Sequence, residues 1–143
     1  MKQYGLNKSD KLCSPTAIDQ LFSRGADAIQ SLQIKSAMAY PLRAVWRENN
    51  KRETGSQIQF LISIPKKRLR HAVDRVKMRR RVREAYRLMH KDFQSENYKK
   101  IDLAFIYVAN ELKEYQSIEK AVIRILQKIK DDKSSEQSNS VAD

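Results

Sequence analysis

The chain has 143 residues, which suits one domain with a modest hydrophobic core. Hydrophobic residues make up 41% of it, and 29 basic residues against 17 acidic ones give a net charge of +12. A compact domain with that charge repels itself, so a polyanionic partner is expected. Nucleic acid is the leading candidate. An anionic membrane surface is the second, although no apolar run in the sequence approaches the ~20 residues needed to span a bilayer.

The expected compartment is the reducing cytoplasm. Residues 1–12 lack the apolar core of a secretory signal peptide. The one cysteine, Cys13, cannot form an internal disulfide and has no partners at metal-ligand spacing. We therefore expect no membrane attachment and no metal site in the protein itself.

The first predicted element is a helix with Ser14 as its cap and Pro15 at the first helical position. This helix should end near Gly25, a suitable C-terminal glycine. Its apolar residues share one face at i, i+3, i+4 spacing: Ile18, Leu21 and Phe22.

Strands and a long helix follow. Residues 37–46 read as a strand, in which Pro41 indicates an edge or a break. Residues 57–64 form a second, more apolar strand. A long helix is predicted over residues 71–90, with an apolar stripe on one side. The run of residues 101–108, which is apolar except for Asp102, then predicts a buried strand.

The chain should close with an amphipathic helix and an acidic tail. The helix has apolar residues at +4, +3, +4 spacing: Ile118, Val122, Ile125 and Ile129. Residues 131–143 hold four acidic residues and one basic residue, so we expect a disordered tail after a domain of residues 1–130. The order α-β-β-α-β-α leaves room for another strand between Ile34 and Trp46. It predicts an α+β sandwich with one sheet and a possible parallel crossover.

Positive charge is concentrated in residues 65–91, where twelve basic residues face only Asp74 and Glu84. Four arginines at four-residue spacing should lie on one face of the long helix: Arg75, Arg79, Arg83 and Arg87. Like charges at this spacing destabilise a helix, and a row of phosphates would compensate, because the guanidinium group binds phosphate oxygens in bidentate fashion. A solvated charged face, or a basic helix for a membrane surface or a calmodulin-like partner, is the alternative.

The same segment resembles the signature of the ribonuclease P protein family. The family has paired lysines, a short loop, Ala-Val, Arg-Asn-Arg, a basic pair and a final Arg-Glu. The matching residues here are Lys66, Lys67, Ala72, Val73, Arg75, Lys77, Arg79, Arg80, Arg83 and Glu84. Val76 stands where the family usually has asparagine, so this chain lacks a polar side chain at that position. The resemblance covers roughly residues 5–130, whereas the stretch from Ser31 to Tyr40 looks longer than usual.

The resemblance implies the order α-β-β-β-α-β-α with a left-handed βαβ crossover. It also implies a protein subunit of an endoribonuclease that removes the 5′ leader from precursor tRNA. The catalytic RNA subunit would do the chemistry with bound magnesium ions, and the protein alone would be inactive. The partners expected are that RNA and precursor tRNA.

Two sets of site residues are implied. The surface for the catalytic RNA comprises Lys66, Lys67, Arg68, Arg70, Arg75, Lys77, Arg79, Arg80, Arg83 and Arg87. The cleft for the single-stranded leader comprises Ile18, Phe22, Arg43 and Val45. Strand alternation agrees, since Arg43 and Val45 fall on one face of a strand. From the residues alone, an ordinary core position for Phe22 is as well supported as a contact with the leader.

Other functions stay open at this stage. A ribosomal or assembly protein would share the size and charge, but it has no reason to match the arginine signature. A stand-alone hydrolase or transferase needs a catalytic constellation that the sequence lacks. A transcription factor would bring dimerisation heptads or a helix-turn-helix pair, and neither is visible.

Overall fold

The computed structural model describes residues 10–12, 14–23, 25–49, 57–90 and 100–142, with side chains as far as Asp131. Within these ranges the helices are α1 (Pro15–Leu21), α2 (Ala26–Leu32), α3 (Ala72–Met89) and α4 (Tyr115–Ala142). The strands are β1 (Lys35–Ala39), β2 (Leu42–Glu48), β3 (Ile58–Ser63) and β4 (Ile101–Tyr107).

Local sequence signals set most of these boundaries. The Ser14 hydroxyl accepts a hydrogen bond from the backbone N–H of Ala17 at 3.4 Å, and Pro15 opens α1 as predicted. Pro41 divides residues 37–46 into β1 and β2, which pair antiparallel across a turn that contains the cis Tyr40–Pro41 peptide bond.

One mixed sheet has the strand order β1-β2-β4-β3. β2 pairs with both β1 and β4 antiparallel, while β3 and β4 are parallel neighbours connected through α3. The α+β class and the order of elements are therefore confirmed, together with the crossover. Its left-handed sense stays a prediction from the resemblance.

The two sheet faces carry different cores. The larger core lies between the sheet and the helices α3 and α4, and it contains Leu42, Ala44 and Trp46 of β2. The smaller core packs α1 against the other face, where Val45 of β2 contacts it. The alternation predicted for β2 is correct, and Arg43 lies exposed beside Val45.

Phe105 should be a determinant of stability, because its side chain is fully buried and its ring meets two others edge-on. The ring centroids of Phe60 and Tyr86 lie 6.2 Å and 6.0 Å away. We expect Phe105→Ala to lower the free energy of unfolding by about 3–5 kcal/mol in urea denaturation. Met38→Ala, at a side chain that is 63% exposed, should change it by less than about 0.5 kcal/mol. Similar losses in the two variants would contradict this description of the core.

Three features differ from the sequence-based expectations. α2 was not predicted, because its seven residues are too few to show a repeated helical period in the sequence. Gly25, expected to end α1, instead precedes α2 with φ at 97°. The backbone of α4 continues to Ala142, although a disordered tail was predicted after Lys130. The serine, asparagine and aspartate residues of this stretch are poor helix formers, so the helix continues there by propagation from the amphipathic segment that nucleates it. The division of the chain at residue 130 stays a prediction.

No helix in the part of the chain that the structure describes is long and apolar enough to cross a membrane.

Candidate nucleic-acid interface

The loop between β3 and α3 is held by its own backbone and by one buried side chain. The N–H groups of Arg68 and Leu69 donate to the carbonyl of Pro65 at 3.0 Å and 3.3 Å. The Leu69 side chain is buried in the larger core. The loop therefore has a defined conformation from which Lys66, Lys67 and Arg70 project with exposed side chains.

Arg75 lies in the first turn of α3, but its side chain is hydrogen-bonded to the preceding loop. Its Nη1 donates to the backbone carbonyls of both Leu69 and Arg70 at 2.9 Å. The residue is half-buried. This arrangement differs from the expected outward row of four arginines, since the Arg75 guanidinium holds the end of the loop against the first turn of the helix.

The α3 basic face is the set of exposed cations in the middle of the helix: Lys77, Arg79, Arg80 and Arg83. Within the described ranges, none of these four side chains makes a hydrogen bond or an ion pair. The opposite side of α3 is fixed in the larger core by Met78, Val82 and Ala85. The face thus presents unneutralised guanidinium and ammonium groups on a rigid support, which suits phosphate binding.

Two further arginines of α3 are occupied within the protein. Arg87 forms an ion pair with Glu84, in which its Nε lies 3.0 Å from Oε2. The hydrogen bond from Arg87 lowers the pKa of Glu84 below its usual range. Arg81 donates to the backbone carbonyl of Lys113, which ties α3 to the segment before α4. Arg87 lies one helical turn after Arg83, at the end of the α3 basic face. Its ion pair with Glu84 is exposed and therefore weak, so Arg87 can readily exchange Glu84 for another anion.

A groove of about 600 Å³ opens on the other side of the loop. We call it the basic groove. Three residues of the predicted leader cleft line it, namely Phe22, Arg43 and Val45. Phe22 lies just past α1 and is 39% exposed. Ile18 does not line the groove, because it packs half-buried against the smaller core beneath it.

The loop contributes two cations to the basic groove, Lys67 and Arg68. Arg68 Nη1 donates to Oδ1 of Asn110 at 3.2 Å, which links the loop to the chain after β4. From the sequence, both cations were expected on the surface for the catalytic RNA. The parallel pairing of β3 and β4 explains why Lys67 and Arg68 line the groove, because segments that follow parallel strands meet at one sheet edge.

The charged side chains that line the basic groove are all positive. Arg43, Lys67 and Arg68 are cationic, and none of the described residues that line it is acidic. Its other lining groups are mainly apolar or hydroxyl side chains: Leu21, Phe22, Ser23, Ile29, Ile34, Ser36, Val45, Ser63, Pro65, Ile106, Tyr107 and Val108. Apolar surface beside cations fits an unpaired nucleotide, whose base and phosphate need these two environments. Across the described ranges, no three His, Cys, Asp or Glu side chains cluster closely enough to hold a metal ion.

Comparison with known proteins assigns the family. A sequence model described as Ribonuclease P matches residues 6–130. The chain belongs to the ribonuclease P protein family. The ribonuclease P protein components of two Porphyromonas gingivalis strains are 33% identical to it over 129 residues, which cover 88% of this chain and 87% of each relative.

Solved ribonuclease P proteins share the fold. The protein from Thermotoga maritima matches with a TM-score of 0.54 and 20% identity, over 67% of this chain and 84% of that one. The protein from Staphylococcus aureus matches with a TM-score of 0.53 and 19% identity, over 73% and 91%. As a ribonuclease P protein, the chain is a subunit of a tRNA-processing endoribonuclease, and its partner is the RNA subunit. The family assignment favours this function over a ribosomal or assembly role.

Proposed function

We propose that this subunit binds the catalytic RNA through the α3 basic face and the 5′ leader of precursor tRNA through the basic groove. The observation that carries the proposal is the position of the loop between β3 and α3. It lines the groove with Pro65, Lys67 and Arg68 and leads directly into α3, which bears the exposed arginines. Leader and RNA subunit would therefore contact adjoining surfaces of one rigid element.

In this proposal the RNA subunit carries out the cleavage with magnesium ions that it binds itself. The protein contributes positive charge that lowers the repulsion between two polyanions, and it adds contacts to the leader. It binds no metal tightly and cleaves nothing alone. We place this activity in the cytoplasm, with precursor tRNA as the second partner.

Phe22 supplies the aromatic surface in the groove. A base that stacks on an aromatic side chain contributes about 1–3 kcal/mol to binding, so Phe22→Ala should weaken binding of leader-bearing precursor roughly tenfold or more. Binding of mature tRNA, which has no leader, should change little. The measurement is the dissociation constant of the holoenzyme for each of the two RNAs. Equal losses for both would show that Phe22 supports the fold and makes no leader contact.

A further inference from the structure

The short helix α2 has no role in the hydrophobic core. None of its seven residues is buried, and a helix of this length is marginal in water without packing. Residues with positive φ flank it, Gly25 at 97° and Gln33 at 55°. Backbone bonds of 3.0 Å fix both ends, from Ile29 N–H to the Gly25 carbonyl and from Ile34 N–H to the Ile29 carbonyl. Local backbone hydrogen bonds, and no buried side chain of its own, therefore hold α2 in place.

The side chain that α2 presents to the basic groove is Ile29. It lines the groove together with Phe22, and it is 41% exposed, close to the 39% of Phe22. Exposed isoleucine surface is unfavourable in water, and a ligand that covers it would gain from its burial. The cations of the same groove make that ligand an anion with apolar parts.

We propose that α2 is part of the leader site and that Ile29 contacts a base of the unpaired 5′ leader beside Phe22. This inference rests on the proposed function of the groove. The base would lie against the apolar surface of Phe22 and Ile29, while Arg43, Lys67 and Arg68 face the phosphates. Because the contact is apolar, it adds affinity without demanding one particular base.

Two Ile29 variants test the proposal in the assembled holoenzyme. Binding is measured for precursor tRNA with a leader several nucleotides long and for mature tRNA. Ile29→Ala should weaken binding of the precursor about threefold to tenfold and leave mature tRNA unchanged. Ile29→Leu, which keeps the apolar volume, should remain within about twofold of the wild type. Since Ile29 is exposed, neither variant should change the thermal midpoint of unfolding appreciably.

Met38→Ala is the matched control, because Met38 is an exposed apolar residue that lines a different groove, between β1 and α4. It should leave both affinities unchanged. If Ile29→Ala keeps the wild-type preference for precursor while Phe22→Ala loses it, the inference about α2 is overturned and the leader groove stands. Parallel losses for precursor and mature tRNA in Ile29→Ala would also overturn it. If the wild-type holoenzyme shows no preference for the leader, the proposed function of the groove itself fails.

Discussion

Replacing Arg79, Arg80 and Arg83 together by alanine is expected to weaken binding to the RNA subunit on the order of a hundredfold near 0.1 M salt. All three side chains are exposed, and none has a partner within the described ranges. Each can neutralise one phosphate and release its counterions. Losing three such contacts should lower the slope of log affinity against log salt by about 2 to 3. Titration of the RNA subunit at several salt concentrations measures both quantities.

A charge-matched control separates position from net charge. Lys120, Arg124 and Lys128 are exposed cations of α4, and two of them, Arg124 and Lys128, line the groove between β1 and α4. Their replacement by alanine removes the same three charges, but it should reduce affinity less than about tenfold and change the salt slope little, since long-range attraction is screened near 0.1 M salt. Equal losses in the two triple variants would mean that total charge alone sets the affinity. The wild-type affinity should itself fall steeply with salt, and a flat response would contradict any phosphate contacts by α3.

Arg75→Ala should impair leader recognition more than binding of the RNA subunit, although Arg75 falls within the arginine signature. Its Nη1 holds the carbonyls of Leu69 and Arg70, and the same loop carries Lys67 and Arg68 into the basic groove. Hydrogen bonds from charged groups contribute roughly 1.5–3 kcal/mol each, so their loss should loosen the loop. We expect the preference for precursor over mature tRNA to fall about tenfold. The slope of log affinity against log salt for the RNA subunit should change by less than about 0.9, the contribution of one phosphate contact.

Arg79→Ala is the matched comparison, one helical turn further along α3. Arg79 makes no hydrogen bond or ion pair within the described ranges, so its loss should weaken binding of the RNA subunit and leave the leader preference intact. Both constants are measured for both variants in the same holoenzyme assay. If Arg75→Ala instead behaves like Arg79→Ala, Arg75 contacts the RNA subunit directly, and its position in the loop is incidental.

A double-mutant cycle with Arg68→Ala tests whether Arg75 acts on leader recognition by holding the loop that carries Arg68. In the wild type, Arg68→Ala should reduce the leader preference, because Arg68 lines the basic groove. In the Arg75→Ala background the additional loss should be smaller, since the loop no longer holds Arg68 in position. Full additivity of the two losses would indicate that Arg75 and Arg68 act independently.

Much of the fold could be predicted because its signals are local and repeated. The stripe of Ile118, Val122, Ile125 and Ile129 in α4 has the period of a helix, and all four residues are buried. The run of residues 101–108 is apolar except for Asp102, and β4 is indeed the strand buried between β2 and β3. The position of Pro41 was informative for the same reason, since a proline cannot continue a strand ladder.

The features that escaped prediction depend on contacts between distant residues or on weak local signals. Spacing placed Arg75 in one row with Arg79, because a helical period cannot reveal the carbonyl groups five and six residues back that accept from its guanidinium. The site of Lys67 and Arg68 follows from the parallel pairing of β3 with β4. The helix α2 is too short to show a repeated helical period, and its proposed role lies in a groove that only the folded chain forms.

Cleavage of precursor tRNA at low magnesium, by the cognate RNA subunit with and without this protein, tests the central claim most directly. At low magnesium, RNA–RNA repulsion is poorly screened, so a basic subunit should have its largest effect there. We predict that the RNA alone cleaves poorly, that the protein restores removal of the leader, and that the protein alone cleaves nothing. An RNA subunit whose cleavage is unchanged by a protein that still binds it would contradict the account.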